Sequence, residues 1–190
     1  MKYKFDFLVY IGRFQPFHLA HMQTVKIALE NSQNVILALG SAQDERNIKN
    51  PFSAAEREQM IRSNFSAEDQ ARIHFVPVID VYNDEKWQKL VKSLVAGVVQ
   101  PTDRVGLIGH FKDDSSYYLK FFPEWEMLEL ESLKGAISAT PLREAYFRGE
   151  ITSREFPLGT QEFLEKFMQT QIYQQLCEKY RKGDKSNLEL

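Results

Sequence analysis

Short apolar runs rich in Val, Ile, Phe and Tyr alternate along the chain with longer segments whose apolar residues recur at helical spacing. Phe5 to Ile11 predicts a buried strand, and Leu19 to Asn31 a helix with Met22, Val25, Ile27, Ala28 and Leu29 on its apolar side. Val35 to Leu39 predicts the next strand. Ser53-Ala-Ala-Glu56 has capping-box spacing, in which hydroxyl and carboxylate satisfy free backbone N–H groups, and it opens a helix through Met60 and Ile61. Further strands are predicted over Ile73 to Ile79, Arg104 to Ile108 and Trp125 to Leu130, with helices over Glu85 to Val99 and Ser115 to Phe121. This β-α-β-α order predicts an α/β fold, a Rossmann-like doubly wound parallel sheet, with ligands held by the loops that follow the strands.

The pattern changes after Leu130. Thr140-Pro141 is expected to start a helix, with Thr140 as N-cap and Gly149 at the far end. Gln161 to Arg181 reads as one or two amphipathic helices with a stripe of Phe163, Phe167, Ile172, Leu176 and Tyr180, fit to dock on the sheet or on another chain. The expected organisation is a core domain over 1–155, a C-terminal helical extension over 156–182 and a flexible tail over 183–190.

Composition adds exclusions. The 190 residues are 43% hydrophobic and 26% charged, with 9 Gly and 7 Pro, which is the make-up of a globular chain. A net charge of −2 argues against a nucleic-acid or anionic-membrane partner, although small anions need only a local cluster. The lone cysteine, Cys177, excludes an intrachain disulfide framework and points to a cytoplasmic location. No apolar stretch approaches membrane-span length, and Asp6 and Arg13 break any signal-peptide core.

Two segments carry chemistry. The first strand runs into Gly12-Arg13-Phe14-Gln15-Pro16-Phe17-His18-Leu19-Ala20-His21. A glycine after a buried strand admits a ligand close to the backbone, and the N–H groups at a helix start attract anions. His18 and His21, three apart, project from one side of that start and can both donate to phosphate oxygens. A zinc site would need partners that are missing: no HExxH motif, cysteine cluster or third ligand accompanies the pair. The second segment is Ile137-Ser138-Ala139-Thr140-Pro141-Leu142-Arg143. An arginine in a first helical turn runs against the helix dipole, which suggests that an anion occupies the site. A capped helix with a solvated arginine is the plain alternative.

Together these segments resemble the nucleotidyltransferase superfamily with HxGH and ISxTxxR signatures; Ala20 stands where that family usually has glycine, one methyl group more. The loops Gly12-Arg-Phe-Gln-Pro-Phe-His18, Gly40-Ser-Ala-Gln43, Asn50-Pro-Phe-Ser-Ala-Ala-Glu-Arg57, Tyr82-Asn-Asp84 ahead of Trp87, and Gly109 to Leu119 resemble one branch of it. That branch is the nicotinamide mononucleotide (NMN) adenylyltransferases of archaeal type and their bacterial Nudix-fused relatives. Nothing in the chain matches a Nudix box, so ADP-ribose hydrolysis is not expected.

The resemblance implies an adenylyl transfer from ATP to NMN, with Mg²⁺ accompanying ATP and no metal ligand assigned to the protein. It implies that His18, His21 and Arg143 act in catalysis and that Gly12, Arg13, Phe14, Ser138 and Thr140 bind ATP or its phosphates. Trp87, Asn83, Asp84 and Lys49 are the implied NMN residues. For Trp87 a core position is the alternative, and for Lys49 a solvated surface. A pantetheine-phosphate adenylyltransferase-like enzyme and a non-catalytic nucleotide sensor remain the competing readings. A homo-oligomer and a longer Nudix-fused chain are left open.

Overall fold

The computed structural model describes residues 2–43, 45–110, 114–131, 137–151 and 154–183. Five strands, β1 (Phe5–Gly12), β2 (Ser32–Leu39), β3 (Ile73–Pro77), β4 (Val105–His110) and β5 (Glu126–Leu130), form one sheet in the order β3-β2-β1-β4-β5. Every pairing is parallel, with Val9 opposite Ile36 on one side and Leu107 on the other. The order reverses at β1, as expected of a doubly wound sheet, so the carboxyl end of β1 is where a ligand crevice opens. The middle of β1 and the second half of β2 are buried on consecutive residues, as in parallel strands covered on both faces.

The helices are α1 (Leu19–Asn31), α2 (Ala54–Arg62), α3 (Ala67–Gln70), α4 (Asp84–Ala96), α5 (Ala139–Phe147), α6 (Leu158–Phe167) and α7 (Gln171–Arg181); residues Asp114–Phe121 form a 3₁₀ segment. The chain divides into two compact units. One comprises 1–13, 23–43 and 66–136, the other 14–22, 44–65 and 137–190. The first contains the whole sheet, whose one face packs Val9, Ile36, Ala38 and Leu107 against Val91 and Val95 of α4 and Leu119 and Phe122. At Gly106 in β4 a Cβ would lie 2.5 Å from the Phe5 ring and 2.9 Å from the Glu126 carbonyl, so only glycine allows this approach.

In the second unit, three distant stretches of sequence pack together. Phe52 lies edge-on to Phe163 and Phe167, Tyr146 donates to the Leu164 carbonyl at 2.7 Å, and Tyr173 donates to the Tyr146 carbonyl at 2.6 Å. The capping box at Ser53 and Glu56 is formed. No helix among the described residues is long and apolar enough to cross a membrane.

Several expected boundaries move. β2 begins at Ser32 rather than Val35, because the buried Ser32 hydroxyl lies 2.8 Å from both the Ala28 and the Asn34 carbonyl and needs no apolar pattern. β3 ends at Pro77, short of Ile79. The amphipathic region is two helices, the first starting at Leu158 rather than Gln161. The α5 N-cap is Ser138, not Thr140; Pro141 still fits because its missing N–H falls within the first turn, whose donors have no intrahelical partner. Residues 184–190 of the expected tail lie outside the described residues.

Candidate active site

The turn between β1 and α1 is built on buried side chains. Phe14 adopts φ +54°, a left-handed conformation that a bulky residue takes only where its surroundings impose it, and its ring is buried. Gln15, Pro16, Phe17 and His18 are buried with it. Gln15 pairs its amide with the backbone of one residue: Nε2 donates to the Phe52 carbonyl at 2.9 Å, and Oε1 accepts from the Phe52 N–H at 3.0 Å.

The two histidines stack with ring centroids 3.7 Å apart and an interplanar angle of 19°. His21 also stacks on Phe17 and meets Phe14 edge-on at 4.8 Å. The backbone N–H of His18 donates to His21 Nδ1 at 3.2 Å. With Nδ1 accepting, neutral His21 carries its proton on Nε2, which makes that nitrogen a donor. His18 is 1% exposed, so its imidazole is held rigidly rather than hanging in solvent.

Arg143 is 5% exposed. Its Nη1 donates to the Gln15 carbonyl at 2.8 Å and its Nη2 to Thr140 Oγ1 at 3.3 Å. The solvated-arginine alternative is thereby overturned: the guanidinium belongs to the histidine turn of the same unit. Ser138 and Thr140 stand exposed at the start of α5, where backbone N–H groups lack helical partners. Lys49, half-buried, lies in a loop of this unit tied by Asn47 Oδ1, which accepts from the Lys49 and Asn50 N–H groups at 2.9 and 2.8 Å.

The other unit holds the remaining candidates. Gly12 ends β1, and its carbonyl accepts from the Gly40 N–H at 2.9 Å; Arg13 follows, exposed, with its stem passing close to Gly40. Asn83 is the α4 N-cap, its side chain accepting from the Lys86 N–H at 2.9 Å, so one oxygen is already in use. Asp84 accepts from the Tyr117 hydroxyl at 3.2 Å, and its charge pushes the Tyr117 phenol up from its ordinary pKa. Trp87 is half-buried and meets Tyr118 and Phe122 edge-on at 5.7 and 5.9 Å, which puts it at the rim of the core. Of the stretch from Gly109 to Leu119, Phe111, Lys112 and Asp113 lie outside the described residues.

Three residues lie within the segments that carry the resemblance but have no role assigned from sequence. Gln15 stands in the Gly12-to-His18 motif, but nothing in the sequence points to its partner Phe52. His110, at the end of β4, contacts Thr24 Oγ1 through Nε2 at 3.3 Å, across 86 positions of sequence. Tyr82 is 90% exposed at φ +52°, a strained placement with no packing reason. Among the described residues there is no cluster of three or more His, Cys, Asp or Glu side chains able to hold a metal ion.

Residues 9–145 match a family described as cytidylyltransferase-like. A nicotinamide/nicotinic acid mononucleotide adenylyltransferase of Acinetobacter baylyi is 66% identical over 186 residues, 98% of this chain and 99% of that protein. A nicotinamide-nucleotide adenylyltransferase of Picrophilus torridus is 32% identical over 77% of this chain and 83% of its own length. Among solved structures, a bifunctional NMN adenylyltransferase/ADP ribose pyrophosphatase of Francisella tularensis superposes with a TM-score of 0.85 at 36% identity, over 93% of this chain. This chain spans only 54% of that bifunctional one, and a second structure of the Francisella enzyme is a complex with AMP and a manganese ion. The chain belongs to the cytidylyltransferase-like family of nucleotidyltransferases, in the group that these mononucleotide adenylyltransferases represent.

Proposed function

We propose that this chain transfers the adenylyl group of ATP to the 5'-phosphate of nicotinamide mononucleotide, giving NAD and pyrophosphate. A phosphate oxygen of NMN forms a bond to the α-phosphorus of ATP while the bond from that phosphorus to the β-phosphate bridge breaks, and pyrophosphate departs. The attacking phosphate is already a competent nucleophile, so no covalent residue or general base is needed. The protein's task is to align two polyanions and stabilise charge on the transferring phosphoryl group.

His18 and His21 donate to the ATP phosphates, with Nε2 of His21 fixed as a donor by the bond to its Nδ1. Arg143, Arg13, Ser138, Thr140 and the backbone at Gly12 and Phe14 hold the triphosphate and the leaving pyrophosphate. Lys49 faces the NMN phosphate, Trp87 offers its indole to the pyridinium, and Asn83 and Asp84 orient the carboxamide. A divalent cation enters with ATP as part of the substrate, and we assign it as Mg²⁺, which keeps water and phosphate oxygens as ligands. The reaction is placed in the cytoplasm.

The observation that carries this reading is the buried turn in which the stacked histidines and the Arg143 guanidinium share one hydrogen-bonded framework. The test is incubation with ATP, Mg²⁺ and a panel of acceptors: NMN, its deamidated analogue and pantetheine phosphate. NAD and pyrophosphate are expected from NMN, and neither without the divalent cation. Product from pantetheine phosphate alone would overturn the reading.

A further inference from the structure

We infer that Gln15 is a positioning residue that fixes the loop bearing Lys49 against the buried turn that anchors Arg143. The inference deepens the proposed adenylyl transfer and rests on it. Gln15 is 2% exposed and is bonded in two directions. Its side chain makes both backbone bonds to Phe52, and its own carbonyl accepts from Arg143. Because Gln15 is 2% exposed and its amide is turned onto the Phe52 backbone, it acts through what it holds.

The loop it holds is stiff. Asn47 Oδ1 gathers the Lys49 and Asn50 N–H groups, Arg46 Nη1 donates to the Pro51 carbonyl at 2.7 Å, and Ser53 immediately caps α2. A shift at Phe52 therefore passes back to Lys49 rather than being absorbed on the way. Lys49 is the acceptor-phosphate candidate and Arg143 the nucleotide-phosphate candidate. One amide thus sets the separation of nucleophile and electrophile, and an in-line displacement loses rate steeply when that separation is off by ~1 Å. Glutamine alone among side chains of this length both donates and accepts without charge, which is what a paired backbone N–H and carbonyl require.

The test compares Gln15→Met and Gln15→Glu with the unaltered chain, using ATP, Mg²⁺ and NMN, with thermal melts confirming that each protein is folded at the assay temperature. In Gln15→Met, kcat should fall roughly 10- to 100-fold, with KM for ATP moving less than about threefold. In Gln15→Glu a protonated carboxyl mimics the amide, donating to the Phe52 carbonyl and accepting from its N–H; the ionised form loses the donor and repels that carbonyl. Burial raises the pKa of such a carboxyl, while the guanidiniums of Arg143, on the Gln15 carbonyl, and Arg57, on the Ser53 carbonyl, oppose it; across the range in which the carboxyl titrates, kcat relative to the unaltered chain should fall as pH rises. Hydrogen exchange gives a readout independent of turnover: amides from Asn47 to Phe52 should exchange faster in Gln15→Met. Unaltered kcat in both variants, a kcat ratio for Gln15→Glu that rises with pH, or unchanged exchange in Gln15→Met would overturn the inference. Absence of NAD formation by the unaltered chain would instead overturn the activity it rests on, and exchange would still report on the loop.

Discussion

Every residue from Phe14 to His18 is buried, whereas every residue from Tyr82 to Lys86 is exposed. The first segment is braced by long-range bonds to Phe52 and Arg143. The second is held mainly by local ones, Asn83 to Lys86 and Trp87 to the Asn83 carbonyl, with the Tyr117 hydroxyl on Asp84. The contrast matches the two demands of the proposed reaction. Phosphate oxygens must meet donors already in place, since reorganisation during the transfer would cost rate. A flat pyridinium needs only a ring face, which an exposed helix start can present. The first segment should therefore be sensitive to loss of single hydrogen-bonding groups, the second to loss of aromatic surface.

The largest effect is expected at the histidines. His18→Ala or His21→Ala should lower turnover by ~10² to 10³, as removal of one transition-state donor does; unchanged steady-state kinetics in both would take the pair out of the mechanism. Arg143→Ala should come next. It removes a charge-assisted contact of about 1.5–3 kcal/mol from the ATP side, and separate ATP and NMN titrations should show the ATP defect dominating. A selective NMN defect would reverse the assignment. Arg143→Ala also strips the Gln15 carbonyl of its partner, so melting should fall as well.

Trp87 sharpens the comparison on the other side. If its indole faces the pyridinium, Trp87→Ala should cost roughly 1 to 2 kcal/mol of NMN affinity with ATP binding nearly unchanged, and Trp87→Phe should keep much of it. Its contacts with Tyr118 and Phe122 predict some loss of stability too. A large fall in Tm with matched losses for both ligands would make it purely a core residue. The smallest effect belongs to a bond remote from either segment. Arg104 hydrogen-bonds Asp6 at 3.0 and 3.1 Å and donates its backbone N–H at 2.7 Å, holding the carboxyl below its ordinary pKa. Stability from a lowered carboxylate pKa is present above the unfolded value and lost as pH falls through the folded one. Asp6→Asn should thus lower Tm slightly at pH 7, and the difference should begin to shrink below about pH 4 and disappear only once pH has passed below the lowered folded-state value; a difference that persists beyond that would mean packing, not charge, carries it.

The sheet and most helices were legible because their apolar period is strong: α1 matches its expected bounds, and β1 and β5 each shift at one end by a single residue. Boundaries failed where a polar group does the work of an apolar one, as Ser32 does in β2. The motifs brought His18, His21 and Arg143 to notice, but not how they are held, because the partners lie far away in sequence. Gln15 meets Phe52 37 positions on, and Arg143 meets Gln15 across 128. Asn83 illustrates the opposite limit: its capping role follows a local rule that applies directly to the sequence, since asparagine ahead of a helical run is a favoured N-cap.

The unit that carries the histidine turn is assembled from stretches beginning at residue 14 and running to residue 181 and beyond. On a ribosome adding about 5–20 residues per second, β1 and β2 are made before the aromatic partners of Phe52 on α6 and the Tyr173 hydroxyl that bonds the Tyr146 carbonyl. The nascent chain would therefore carry the partners of these helices uncovered until α6 and α7 arrive. Packing of this unit waits on α6 and α7, and a chain stalled after α5 would expose Phe52 and Tyr146 to proteases.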